Sequence, residues 1–371
     1  MEPVFPPARW WHRADNSDNG DVVHDVICEL CPRRCRIAHQ KSGFCRVRQN
    51  HHGQLINAAY GRSTGFCLDP VEKKPLYHFL PGTPTLSFGT VGCNLECRFC
   101  QNYQTSCSHT LAPLRETASP AVIAETALSL GCPSVSFTYN EPVIWSEFVV
   151  DTALECRKRG IKTIAVTNGF ISQEPAAWFF PHLDAVNVDL KGFTDDFYKR
   201  LTGGSLAPVL ETLRYIVHET ALWLEITNLL IPGENDRSEE IHAMCEWIAR
   251  ELGVDIPLHF SSFHPMFRLM RHPPTPPETL IKARQIAREH GLRYVYLGNI
   301  RGSQTHTTVC PSCGSTLLER TDYGVVPINI DLPVPDTNTV TAQCRQCRQV
   351  LPGVYPPRMG IWGNKRQPVS L

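Results

Sequence analysis

The sequence predicts an α/β protein of parallel strands joined by βα units, on the strength of two patterns. Short β-rich runs at residues 86–90, 135–139, 163–167, 185–190, 224–231, 258–263 and 294–297 alternate with helical segments, as crossover-connected strands do. Those runs are near-continuously apolar with a polar residue or glycine just after each, which a barrel-type sheet covered on both faces requires. The helices have start and stop signals of their own. Ser119-Pro120 reads as N-cap and first position of a helix that Gly131 closes. Segments 142–159 and 238–252 have matching ends. Thr275-Pro276-Pro277-Glu278 reads as a capping box before a 280–290 helix stopped by Gly291.

The length of 371 residues gives room for one large domain of about 250 residues with small appendages. The expected division is a cysteine-rich segment 1–84, a barrel 85–300, and a zinc-ribbon-like module with tail 301–371. Lys plus Arg equals Asp plus Glu at 36 each, so no basic field favours nucleic acid or an anionic membrane surface. No apolar run approaches the ~18 residues that span a bilayer. Residues 1–23 carry Trp10 and Trp11 but not the apolar core of a signal peptide. Sixteen cysteines without an export signal point to metal or redox sites in the cytoplasm rather than to disulfides.

The cysteines fall into sets. Cys93, Cys97 and Cys100 follow Gly89-Thr90-Val91-Gly92 directly after a strand, with Phe99 before the last thiol. Three thiolates this close can hold three irons of a [4Fe–4S] cube and leave the fourth open to a substrate or cofactor; a zinc knuckle or an accidental cluster is the structural alternative. Cys310-x2-Cys313 and Cys344-x2-Cys347 suit a closed tetrahedral zinc, and a four-cysteine iron–sulfur or rubredoxin-like iron centre fits the same spacing. Cys28, Cys31, Cys35 and Cys45, beside Arg33, Arg34 and Arg36, suit zinc or an auxiliary cluster. The scattered Cys67, Cys107, Cys132, Cys156 and Cys245 read as small buried hydrophobes.

Polar residues gather at the carboxyl ends of the predicted strands, where α/β barrels keep their functional groups. These are Thr138-Tyr139-Asn140-Glu141, Thr167-Asn168, Asp189-Leu190-Lys191, Glu225 with Asn228, and Ser261 to His264. Each alone reads as a loop cap or surface charge; a carboxylate, amides, a lysine and a histidine on one rim read as a site. The run from Asp69 to Phe79 is either a solvated lead-in or a cover over the open barrel side, with Lys73, Lys74 or His78 facing the substrate. Lys365 and Arg366 read as a frayed tail.

With the triad Cys93-x3-Cys97-x2-Cys100 the chain resembles the radical S-adenosylmethionine (SAM) superfamily, and residues 86–299 look like its partial (β/α)6 TIM-type barrel, in the branch related to pyruvate formate-lyase activases. The resemblance implies a [4Fe–4S] cluster on the triad and reductive cleavage of SAM to a 5′-deoxyadenosyl radical that abstracts hydrogen from a substrate. It places Glu141 and Asn140 at the SAM amino group, Lys191, within the cofactor-binding motif Asp189-Leu190-Lys191, at its carboxylate, Asn168 and Asn228 at ribose or methionine contacts, and Phe99 near the adenine. A ferredoxin insertion expected after the triad is replaced by residues 101–117. Across nearly the whole chain, Cys28 to Cys35, Gly43 to Arg48, Asp69 to Phe79, Cys100-Gln101-Asn102 and the terminal cysteine pairs resemble the radical SAM family of the AmmeMemoRadiSam system. That implies AMMECR-type and Memo-like partners and a low-potential electron donor, flavodoxin or ferredoxin. The alternatives are a glycyl-radical-activase-like protein activator and a zinc-ribbon nucleic-acid-modifying protein.

Overall fold

A computed structural model describes residues 6–14, 24–108, 110–300, 305–321, 324–333, 341–360 and 367–371. Its centre is one nine-stranded sheet. In chain order the strands are β1 (Phe66–Pro70), β2 (Pro84–Phe88), β3 (Ser134–Phe137), β4 (Lys162–Thr167), β5 (Ala185–Asp189), β6 (Trp223–Leu230), β7 (Leu258–Ser262), β8 (Val295–Gly298) and β9 (Gln367–Val369). Strands β2 to β8 are parallel and pair strictly with their sequence neighbours, so all seven expected runs form strands. The helices α1 (Pro120–Ser129), α2 (Ser146–Lys158), α3 (Gln173–Phe179), α4 (Ala207–Glu219), α5 (Ser238–Glu251) and α6 (Pro277–Glu289) supply the crossovers. Among the described residues no ladder joins β8 to β9, so the hydrogen-bonded sheet is open.

Local signals succeed where their partners are local. Ser119 caps α1, its side chain accepting from the Val122 amide at 3.3 Å. The capping box before α6 does not form. Thr275 instead accepts from the Phe263 amide (2.8 Å) and donates to the Leu230 carbonyl (2.6 Å), and Pro276 stands at the N-cap without a side-chain bond. Two buried orphan backbone groups at the ends of β6 and β7 draw the hydroxyl more strongly than a solvent-facing helix start.

The sheet begins before residue 85. β1 pairs antiparallel with β2, and β9 pairs antiparallel with β1. Lys365 and Arg366 lie outside the described residues. Between β1 and β2 the chain folds inward and forms a floor under the sheet's inner face. Val71, Leu76, Phe79 and Leu80 pack on Ile164 and Ala185. The Glu225 carboxylate accepts from the amides of Tyr77 (3.0 Å) and His78 (2.7 Å) and from Trp223 Nε1 (3.0 Å). The solvated lead-in is thereby overturned, because these alternating charges are buried against inward-facing strand residues. Lys73 and Lys74 reach the space above, while His78 is enclosed behind it with its ring 4.5 Å from Tyr294.

Two small units flank the sheet. The N-terminal one contains a three-stranded sheet of Trp11–Arg13, Val26–Cys28 and Arg36–Ile37. It is tied to α2 by buried Arg48, whose guanidinium bonds both Glu147 oxygens (2.9 and 2.8 Å). The C-terminal unit has two three-stranded antiparallel sheets around Leu317, Leu318, Val325, Ile330 and Leu351. It docks on the floor through Leu80 N to Val354 O (2.7 Å) and Val354 N to His78 O (2.8 Å). Arg320 donates to the Tyr77 carbonyl (2.7 Å).

Candidate active site and metal centres

The loop after β2 is set by close backbone approaches. A Cβ on Gly89 would stand 2.2 Å from the Thr138 carbonyl, and one on Gly92 (φ +82°) 2.0 Å from the Cys45 carbonyl. Only glycine fits either place. Asn140, at the end of β3, stitches the loop: Oδ1 accepts from Thr90 N (3.0 Å), and Nδ2 donates to Thr90 Oγ1 (2.9 Å) and to the carbonyls of Val91 (3.2 Å) and Gly92 (3.1 Å). Its amide thus holds the cysteine loop, and the residue also lines the cavity in front of it.

Cys93, Cys97 and Cys100 open on a cavity of about 1010 Å³. Phe99, Glu141 and Asn168 line it beside them, as do Asp189 and Lys191. Asn168 donates to Asn94 Oδ1 (2.8 Å) and points the same nitrogen at Cys93 Sγ (3.7 Å). Glu141 accepts from Val143 N (3.0 Å), Thr167 Oγ1 (2.6 Å) and Asn168 N (2.8 Å). Burial nevertheless outweighs these donors and lifts its carboxyl to about 7. Burial works against the Lys191 ammonium, but Asp189, 2.9 Å away, overcomes it and holds the lysine above its ordinary range. Burial also pushes the Cys97 thiol up to about 12, with Lys191 opposing, and drives Cys93 well above its usual value.

Two expected residues lie elsewhere. Asn228 donates to the Leu190 carbonyl (2.7 Å) and does not line the cavity; its neighbours Thr227 and Leu229 do. Alternation along a strand sends successive side chains to opposite faces, and the motif reading chose the wrong parity. His264 is exposed beyond β7, and the histidines that reach the cavity are His259 and His306. Of the deeper wall, Glu225 stands among the predicted strand-end residues and Tyr77 within the predicted cover. There His259 Nε2 bonds Glu225 (2.6 Å), Tyr77 OH bonds His306 Nδ1 (2.7 Å), and Arg320 lies 4.2 Å over the Tyr77 ring. Glu225 and His259 were legible as inward-facing positions on β6 and β7; Glu72, His306 and Arg320 come from distant segments and carry no such signal.

The cysteine sets differ in geometry. Among the described residues, Cys310, Cys313, Cys344 and Cys347 are the one group of three or more ligand-type side chains whose donor atoms all converge within 4.8 Å. Cys310 and Cys347 Sγ are 3.5 Å apart, Cys313 and Cys344 Sγ 3.7 Å. A tetrahedral zinc with Zn–S near 2.3 Å separates its sulfurs by about 3.8 Å, so this donor set fits a single closed ion. The triad is not such a group, and a hollow lies before it. That suits thiolates on separate irons of a cube. Cys28, Cys31 and Cys45 are buried and Cys35 is half-buried, but these four are not drawn to single-ion distance either. Of the isolated cysteines, Cys67, Cys132, Cys156 and Cys245 are buried as expected, whereas Cys107 is half-buried, near Ser106 and Cys100.

Residues 88–248 match the family model of the radical SAM superfamily. An uncharacterized protein of Methanocaldococcus jannaschii (MJ0808) is 41% identical over 87% of this chain and 93% of its own length. The pyruvate formate-lyase 1-activating enzyme of Escherichia coli K12 is 23% identical over 58% of this chain and 93% of its own. Among solved structures, a domain of pyruvate-formate lyase-activating enzyme from Bacteroides vulgatus superposes with a TM-score of 0.40 at 20% identity, covering 44% of this chain and 98% of that domain. No helix among the described residues is long and apolar enough to cross a membrane.

Proposed function

Because residues 88–248 carry a radical SAM superfamily domain, we propose that the chain is an enzyme that removes a hydrogen atom from an unreactive carbon of a substrate held in the cavity of about 1010 Å³. The observation that carries this reading is that the three thiols and the carboxylate–lysine–amide set open on the same hollow. When bound there, a [4Fe–4S] cluster and SAM supply an electron to the sulfonium and, by cleavage of the S–C5′ bond, methionine and a 5′-deoxyadenosyl radical. The chain's own work is orientation. Cys93, Cys97 and Cys100 hold the cluster, and Asn140 fixes the loop that presents them. Glu141 offers a buried carboxylate to an ammonium, and Lys191 offers a cation, steadied by Asp189, to a carboxylate. Phe99, itself buried, supplies an apolar wall. Enclosure keeps water and competing hydrogen donors away from a reactive carbon.

The C-terminal cysteines hold zinc in this reading, and the N-terminal four hold an auxiliary metal centre. Sixteen cysteines, all free, suit a reducing cytoplasm supplying electrons through flavodoxin or ferredoxin. The motifs shared with the AmmeMemoRadiSam family support membership in that system, with AMMECR-type and Memo-like proteins as partners. A second reading, in which the hydrogen comes from a protein backbone, draws on the similarity to pyruvate formate-lyase 1-activating enzyme.

The test is 5′-deoxyadenosine formation from SAM by anaerobically reconstituted, dithionite-reduced protein, alone and with each partner protein. Product from the wild type and none from Cys97→Ala supports the reading. An intact cluster that neither binds SAM nor cleaves it under any of these conditions removes it.

A further inference from the structure

The cavity's floor carries polar atoms that the protein leaves unused. Glu72 Oε2, Thr227 Oγ1 and Arg320 Nε are buried and have no hydrogen-bond partner among the described residues, and all three residues line the cavity. Glu72 is 2% exposed, Thr227 9% and Arg320 3%. Each is otherwise fixed. The second Glu72 oxygen accepts from Gly82 N at 2.8 Å. The terminal nitrogens of Arg320 are spent on Thr308 Oγ1 (2.7 Å) and the carbonyls of His306 (3.0 Å) and Tyr77 (2.7 Å). Neither Glu72 nor Arg320 forms a salt bridge among the described residues. Buried polar atoms left unpaired are destabilising and rare in native proteins. Three of them on residues lining one cavity mark a place for something that pairs with them.

Resting on the radical SAM reading above, we propose that this floor is the substrate subsite and that it takes a compact polar group carrying both an amine and an oxygen function. The amine donates to Glu72 Oε2, and the oxygen accepts from Arg320 Nε and shares a hydrogen with Thr227 Oγ1. A carboxylate or phosphate group is disfavoured, because the leftover oxygen of Glu72 would face it. The floor anchors the polar end, and the carbon to be attacked lies between it and the cysteine loop. Arg320 comes from the C-terminal unit, so the cysteine-bound metal there shapes the subsite although it never meets the substrate.

Ethanolamine carries both functions and serves as the probe, with acetate as the anionic counterpart. Ligand-observed NMR at pH 8, where Glu72 is ionised, on the anaerobic, metal- and cluster-loaded full chain should show ethanolamine binding in the millimolar range, as a ligand of so few atoms permits. Binding should weaken about tenfold in Thr227→Val and in Glu72→Gln. In Glu72→Gln an amide NH₂ replaces the accepting oxygen, so the preference between ethanolamine and acetate should also invert, which a loss of packing alone would not produce. Ethanolamine that fails to bind, binds both folded variants as well as the wild type, or is outcompeted by acetate on the wild type overturns the proposal. The 5′-deoxyadenosine assay is read separately. Binding with the expected pattern but no SAM cleavage would sink the radical reading alone, and cleavage without the binding pattern would sink the subsite alone.

Discussion

Two sets of cysteines in this chain use the same atom in opposite ways. The C-terminal four arise from two Cys-x2-Cys turns distant in sequence, yet their sulfurs close to 3.5 and 3.7 Å. The triad is contiguous in sequence, yet among the described residues it forms no such single-ion group, and it faces a cavity. A metal ion on the first set would have every coordination position filled by the protein, and its binding energy would become folding energy. In the second the protein withholds a position, and a glycine-rich loop stitched by Asn140 must hold the thiols in place without closing around them. Openness for chemistry therefore has to be maintained by backbone, and closure for stability can be left to the metal.

The comparison is broken most severely by Cys344→Ser, which should forfeit metal-binding free energy of the order of 10 kcal/mol. Limited proteolysis should then cut within residues 305–355, with zinc content lost and the barrel's circular dichroism retained. A barrel that melts together with the module would show that the floor, too, depends on the metal. Gly92→Ala attacks the other side. A Cβ 2.0 Å from the Cys45 carbonyl at φ +82° should cost at least about 4 kcal/mol locally, read as iron per chain after reconstitution, with zinc unaffected. Retention of full iron would mean that the loop has slack.

Glu72 sharpens the contrast by pH. Burial raises its carboxyl to about 7, with Arg320 opposing, so the folded chain binds this proton more tightly than the unfolded chain. The resulting stability is present below the ordinary carboxylate range near 4.5 and is lost as pH rises through about 7. It amounts to about 3 kcal/mol. Denaturation midpoints at pH 5 and 8 should therefore diverge less in Glu72→Gln than in the wild type, and equal divergence would refute the assignment. The smallest effect is expected from Asn168→Ala, which removes the bond to Asn94 Oδ1 and the approach to Cys93 Sγ. It should cost about 1 kcal/mol and shift the visible absorption of the reconstituted cluster, leaving the C-terminal unit unchanged.

Much of the parallel sheet was legible because its pattern is local. Seven apolar runs became seven sequential parallel strands, and Ser119 capped the helix it announced. The strands β1 and β9, which close one edge, were not legible, since a short strand that pairs antiparallel with a distant segment carries no crossover signal. Nor was the use of Thr275, whose partners on β6 and after β7 become visible only once the sheet is assembled. Of the residues lining the cavity, the thiols were legible from their spacing, and Glu141, Asn168 and Lys191 from their places after predicted strands. Asn228 was misread by one residue of strand parity. Glu72, His306 and Arg320 escaped because the cavity floor is built from segments that meet only in three dimensions.

The floor also sets an order of events. Residues 71–82 precede every strand they must lie beneath, apart from β1, and their partners follow far downstream: Glu225 for the Tyr77 amide, Tyr296 and Tyr355 for the His78 ring. A chain emerging from the ribosome can form successive parallel neighbours as they appear, but this early segment must wait for residues as late as 355 before its contacts are complete. Until then the barrel has walls without a base, and the earliest-made part of the pocket is the last to find its place.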